Sequence, residues 1–148
     1  MLHFEGTFDV KAGKEKVFDF LLDPNALANC LPDLQKVDVI SDDEFKVVVK
    51  VGISFIKGDM RMTFKVIERE RPNHAKLQAR GTGLGSSVDM TNVFDLSDGP
   101  DGGTSMKWSA DASVGGMIAS IGQRLLDTGA EKMVNELFAS IKANLEKQ

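Results

Sequence analysis

Hydrophobic and polar positions alternate along most of this chain, in short runs separated by turn residues. Leu2, Phe4, Phe8 and Val10 alternate with His3, Glu5, Thr7 and Asp9. A period of two is what a strand shows when one face is buried, and Gly6 interrupts this one as a candidate bulge. The period then becomes helical. Val17, Phe18, Leu21 and Leu22 share a face of a helix from Lys14 to Leu22 that Asp23-Pro24 stops, and a second short helix is expected over Asn25 to Cys30, before Pro32-Asp33. Further strands follow at short intervals, each closed by turn residues. Leu34 to Ile40 and Phe45 to Ile53 meet at Ser41-Asp42-Asp43; a run carrying Met60, Met62, Phe64 and Val66 ends at Arg71-Pro72-Asn73. Ala75, Leu77, Ala79, Gly81 and Gly83 form the next inward set, then Val88, Met90, Asn92, Phe94 and Leu96, then Met106, Trp108, Ala110 and Ala112.

From Gly115 to Gln148 the spacing is helical again. Ile118, Ile121, Leu125, Leu126, Met133, Val134, Leu137, Phe138, Ile141 and Leu145 recur at steps of three and four, which predicts one long amphipathic helix. Six consecutive strands joined by short turns make an antiparallel meander whose single apolar face must be covered. Only the terminal helix is long enough to cover it. The pattern therefore predicts an α+β fold of order β-α-α-β6-α, in which a curved antiparallel sheet grips a C-terminal helix, as one domain over residues 1–148.

Composition narrows the function classes. The 148 residues are 42% apolar with a net charge of −4, and nucleic-acid binding normally shows as a basic excess, so no nucleic-acid partner is expected. Cys30 is the single cysteine and leaves no internal disulfide. The N-terminus lacks a basic region followed by an apolar block, and no apolar run reaches membrane-spanning length. A cytoplasmic protein is expected. Nine Phe and seven Met without a single Tyr give an interior short of hydroxyls and rich in deformable surface.

Candidate chemistry centres on the inner wall. Ala79, Gly81, Gly83, Ala110 and Ala112 are small residues placed opposite a helix; either the helix sits tightly on them or a cavity remains, since interiors otherwise close to crystal-like density. The expected wall comprises Leu27 and Leu31 from the second short helix and its exit; Met62, Phe64, Leu77, Ala79, Gly81, Met90, Asn92, Phe94, Trp108 and Ala110 from the strands; and Met117, Ile118, Ile121 and Leu125 from the start of the long helix. Residues 116–130 are expected to roof the cavity and 133–145 to anchor the helix. Asn92 is the polar exception, either a hydrogen-bonding group for a ligand or an amide bonded to backbone or water. Trp108 is open to the same two readings, and the methionines read first as packing. Gly115-Gly116, just before the helix, reads as a rigid connection or as a movable edge of the cavity.

Other chemistry finds little support. Gly81-x-Gly83-x-Gly85-Ser86-Ser87 is followed by a strand and no lysine, so it fails both nucleotide-loop contexts and reads as a turn or bulge. His3 and His74 have no third ligand at metal spacing. Cys30 lies in an apolar run with no neighbouring histidine. No catalytic set, metal or cofactor is expected. Arg61, Lys65, Lys76 and Arg80 fall on the opposite sheet face, where a solvated surface is the default.

Taken together, Gly6-x-Phe8-x-Val10, Val17-Phe18-x-Phe20-Leu21-x-Asp23-Pro24-x-x-Leu27-x-x-Cys30-Leu31-Pro32, Gly81-x-Gly83-x-Gly85-Ser86, Trp108-x-Ala110 and Val114-Gly115-Gly116-x-Ile118-Ala119-x-Ile121-Gly122-x-Arg124-Leu125 resemble the CoxG family of carbon monoxide dehydrogenase proteins, within the START-like, helix-grip (SRPBCC) superfamily. Pro32-Asp33 departs from the Pro-Gly of many relatives. The resemblance implies a cavity under the long helix for a lipophilic small molecule, a quinone or a lipid. It also implies a noncatalytic role beside a molybdenum-containing dehydrogenase, in membrane attachment or ligand delivery at the inner face of the membrane. The same superfamily hosts cyclases and dehydratases, which is the competing expectation.

Overall fold

Positions that the alternation assigns to one face of a strand also share a face in three dimensions. The structure, a computed structural model, describes residues 2–53 and 56–146. Seven strands, β1 (Leu2–Val10), β2 (Leu34–Ser41), β3 (Glu44–Ile53), β4 (Ile56–Glu70), β5 (His74–Gly83), β6 (Ser86–Asp98) and β7 (Thr104–Gly116), form one antiparallel sheet in the order β1-β7-β6-β5-β4-β3-β2. The helices α1 (Lys14–Leu21), α2 (Pro24–Ala28) and α3 (Gln123–Glu146) complete the expected order. Phe45, Val47, Val49, Met60, Phe64, Leu77, Phe94 and Met106 are buried, while intervening Lys46, Lys50, Arg61, Lys65 and Arg80 are exposed.

Several local expectations need correcting. Gly6 is not a bulge: it lies directly opposite Trp108 in an unbroken β1–β7 register. A Cβ there would come within 3.1 Å of the indole Nε1, so the glycine gives the ring its space. Pro24 does not merely stop α1. It begins α2, where its missing N–H costs nothing, and the Asp23 carboxylate caps the helix by accepting from the backbone N–H of Asn25 (3.0 Å) and Ala26 (3.3 Å). A register shift between Val66 and Glu68 turns Ile67 outward to 39% exposure.

The largest correction concerns the long helix. β7 runs on to Gly116, a 3-10 turn spans Ile118–Ile121, and α3 starts only at Gln123. The break is at Gly122, whose φ of 99° is open to glycine and strained for other residues. At 24 residues the helix is about 36 Å long. The final two residues of the expected helix, Lys147 and Gln148, lie outside the described residues.

The C-terminal end of α3 is the fixed end. Ile141 and Leu145 are fully buried along with Val17, Phe18 and Leu21 of α1, and each such side chain contributes about 1.5–3 kcal/mol by leaving water. The Glu146 carboxylate accepts from the Lys11 backbone N–H at 3.0 Å. α1 is tied in turn to the β4–β5 turn, where Arg71 donates through Nε and Nη2 to both Asp19 oxygens at 2.9 Å, a bidentate pair that fixes orientation as well as distance. From this end the backbone of α3 comes close to β1 and β3, the flanks of the sheet. The helix bridges the concave face instead of lying down on its centre.

A candidate lipophile cavity under the bridging helix

Bridging leaves a cavity of about 200 Å³ between α3 and the sheet. Its floor is Leu77 of β5, Val88, Met90, Asn92 and Phe94 of β6, and Trp108, Ser109, Ala110, Ala112 and Val114 of β7. Phe45, Val49, Val51, Met60, Met62 and Phe64 line the β3–β4 side, Leu2 and Phe4 the β1 side, and Leu27, Leu31 and Pro32 the side formed by α2 and its exit. Ile118, Leu126, Ala130, Met133, Val134, Leu137 and Phe138 close the top. None of these residues is ionisable. An apolar void of this size left empty would cost about 5 kcal/mol, and apolar cavities of ~150 Å³ take up benzene-sized molecules.

Of the residues proposed from sequence, Leu27, Leu31, Met62, Phe64, Leu77, Met90, Asn92, Phe94, Trp108, Ala110 and Ile118 lie on this wall. Ala79, Gly81, Met117, Ile121 and Leu125 do not. Ala79 sits between Phe64 and Met90 in the register, and those longer side chains reach the cavity in its place. Over Gly81 the space is taken by Met60 and Met62, whose atoms would lie 3.2–3.3 Å from an added Cβ. The small-residue argument therefore holds at Ala110 and Ala112 and fails at the glycines, where methionine fills in. Met117 and Leu125 point outward at 51% and 48% exposure, and Ile121 is half-buried, because the break at Gly122 turns the chain before the helix starts.

The roof is displaced too. It consists mainly of residues 126–138 and not of 116–130, and the fixed anchor is correspondingly shorter, centred on Ile141 and Leu145. The sequence does carry a sign of this: Gly129-Ala130 puts two small residues in mid-helix, where larger ones would reach down to the sheet. Gly115-Gly116 forms a tied connection. Met117 N–H donates to the Gly85 carbonyl at 3.1 Å and Ile118 N–H to Ser86 Oγ at 2.9 Å, which clamps the segment to the β5–β6 turn.

One end of the cavity is aromatic. Phe138 stacks on Trp108 at 4.6 Å between ring centroids and meets Phe8 at 5.3 Å and Phe94 at 6.3 Å, both edge-on. The other end is lined by Met60, Met62 and aliphatic side chains. The Asn92 amide and the Trp108 indole N–H take part in no hydrogen bond among the described residues, and neither is a sealed, unsatisfied group. Both therefore retain access to the cavity.

Elsewhere the ionisable groups are superficial. Strand pairing brings Glu68 and Glu70 to His74, a grouping that sequence spacing did not offer: His74 Nε2 lies 2.9 Å from Glu68 Oε1 and 4.0 Å from Glu70 Oε2, and its Nδ1 lies 2.7 Å from Asp95 Oδ1. The Asp95 and Glu68 carboxylates hold the His74 pKa above its ordinary value. His3, beside Asp111 and Glu5, is raised for the same reason. Burial pushes the Cys30 thiol up, which makes it a poor nucleophile. A hollow of about 400 Å³ on the outer sheet face, between Val48, Asp59, Arg61, Thr82 and Gly83, is a dish open to solvent. Among the described residues no helix is long and apolar enough to cross a membrane.

Comparison with known proteins agrees with this geometry. A conserved protein from Geobacillus kaustophilus is 30% identical, with 99% of this chain and 96% of that one aligned at a TM-score of 0.90. A START superfamily protein from Mycobacterium smegmatis, 11% identical, covers 98% of this chain and 97% of its own at 0.73, and a protein from Chromobacterium violaceum, 16% identical, covers 97% of each at 0.71. These last two share the fold, which is START-like. A search among curated proteins finds no match. The carbon monoxide dehydrogenase family CoxG matches residues 6–146, and family and fold together suggest a hydrophobic ligand-binding role. The chain belongs to the CoxG family of carbon monoxide dehydrogenase proteins.

Proposed function

We propose that this protein is a noncatalytic carrier that holds a lipophilic small molecule, a quinone or a lipid, between α3 and the sheet. In this reading it assists a molybdenum hydroxylase of the carbon monoxide dehydrogenase type in membrane attachment or ligand delivery. The observation that carries the reading is the cavity itself, about 200 Å³ of apolar wall without an ionisable residue. Such a wall rewards burial of an apolar guest and offers no acid or base to a reacting one, so a cyclase or dehydratase would have to rely on Asn92 alone. Membrane contact is supported by exposed Met117 and Leu125 on either side of the Gly122 break, next to the Ile118 part of the roof.

Mass spectrometry of an organic extract of natively purified protein tests the carrier role. A stoichiometric lipophile is expected in the wild type and should be lost in Ala110→Phe, which fills the floor. A wild-type protein that carries nothing and takes up neither quinones nor fatty acids would remove the reading.

A further inference from the structure

Nearly everything on the cavity wall repels a polar group, and the exceptions lie close together. Asn92 on β6 is directly opposite Ala110 in the register, and its neighbour Phe94 is opposite Trp108. The Asn92 amide stands on the floor with no hydrogen-bond partner among the described residues, beside the one small side chain, Ala110, that leaves room above it. An amide offers both donors and an acceptor. It carries no charge, and no Lys, Arg or His lines the wall to neutralise an anion.

Resting on the carrier reading above, we infer that Asn92 is a specificity-determining residue, which draws the polar end of the guest inward and restricts that end to an uncharged group such as a carbonyl or hydroxyl. A carboxylate brought to the same place would be desolvated without a counter-charge, which is strongly unfavourable. An uncharged oxygen instead replaces the water that an empty site would leave on the amide. The volume agrees with this placement: ~200 Å³ is somewhat more than a benzene-sized guest needs. A compact polar head fits whole beside the Trp108–Phe138 stack, and a long tail has to follow it out of the cavity.

Two probes of equal chain length separate the possibilities, 2-undecanone and undecanoate, titrated at pH 7.5 into the ligand-stripped full chain. The readouts are the fluorescence of Trp108, the single tryptophan, and the Asn92 side-chain amide resonances. The ketone is expected to bind at least tenfold more tightly than the carboxylate and to shift the Asn92 amide signals. Asn92→Leu should weaken ketone binding about five- to tenfold, the worth of one hydrogen bond, and leave undecanoate unchanged. Asn92→Ala is a second variant should the first fail to fold. Equal wild-type affinities, or ketone binding indifferent to both variants, would overturn the role of Asn92 while leaving the carrier intact. Failure of the wild type to bind either probe would overturn both.

Discussion

Trp108 and Phe138 stack with their ring centroids 4.6 Å apart and their planes inclined by 29°. This pair joins the sheet floor to the helix roof at the aromatic end of the cavity, with Gly6 opposite Trp108 keeping the indole in place. Phe138→Ala should therefore cost about 2–3 kcal/mol, the lower part of the range for aromatic truncation, because Phe138 is only half-buried. Trp108 emission should shift to the red as water reaches the ring. Denaturant unfolding followed by fluorescence measures both, and an unshifted spectrum would mean that Phe138 does not shield the indole.

Two glycines on one strand, β5, should respond oppositely to the same change. At Gly81 an added Cβ meets only the flexible ends of Met60 and Met62. At Gly83, with φ 146°, it would lie 2.8 Å from the Asp59 carbonyl oxygen. Gly81→Ala is expected within about 1 kcal/mol of wild type, since methionine repacks cheaply. Gly83→Ala should lose more than about 2 kcal/mol to strain and backbone collision. Comparable midpoints in urea for the two variants would contradict the placement of the methionines.

The His74 cluster gives a signed pH dependence. The folded-state pKa is raised, first by the hydrogen bond to Asp95 and then by that to Glu68, so the charged imidazole is favoured in the native state. Its contribution is complete below the unfolded value near 6.5 and is lost as pH rises through the higher folded value. Thermal unfolding should show wild type ahead of His74→Gln at pH 6, with the gap closing toward pH 9. A gap independent of pH would assign the residue a purely packing role.

Membrane contact through the break before α3 has its own test. Met117 and Leu125 are exposed, whereas Ile118 is 3% exposed and belongs to the cavity roof. Met117→Asp and Leu125→Asp should keep wild-type stability within about 0.5 kcal/mol and reduce co-sedimentation with liposomes several-fold, each charge being disfavoured in the apolar layer. Ile118→Asp should instead destabilise the protein by burying an unpaired carboxylate. Undiminished sedimentation of both surface variants would rule out this edge as the point of contact.

Much of this protein is legible in its sequence, because alternation and helical spacing report directly which side of each element leaves water. Seven strands, three helices, the antiparallel meander and the inward positions of Met90, Asn92, Phe94, Trp108 and Ala110 all follow from that period. Long-range packing decided the rest. Gly81 reads as open space along its own strand, yet β4 places Met60 and Met62 over it; Gly122 reads as a weak point within a helix and is where the chain turns into one. The helical periodicity of residues 118–145 likewise does not distinguish a stripe that packs from one that spans a gap. That distinction came from α1 holding Ile141 and Leu145 while β1 and β3 keep the helix off the centre of the sheet, a consequence of sheet curvature that no local pattern encodes.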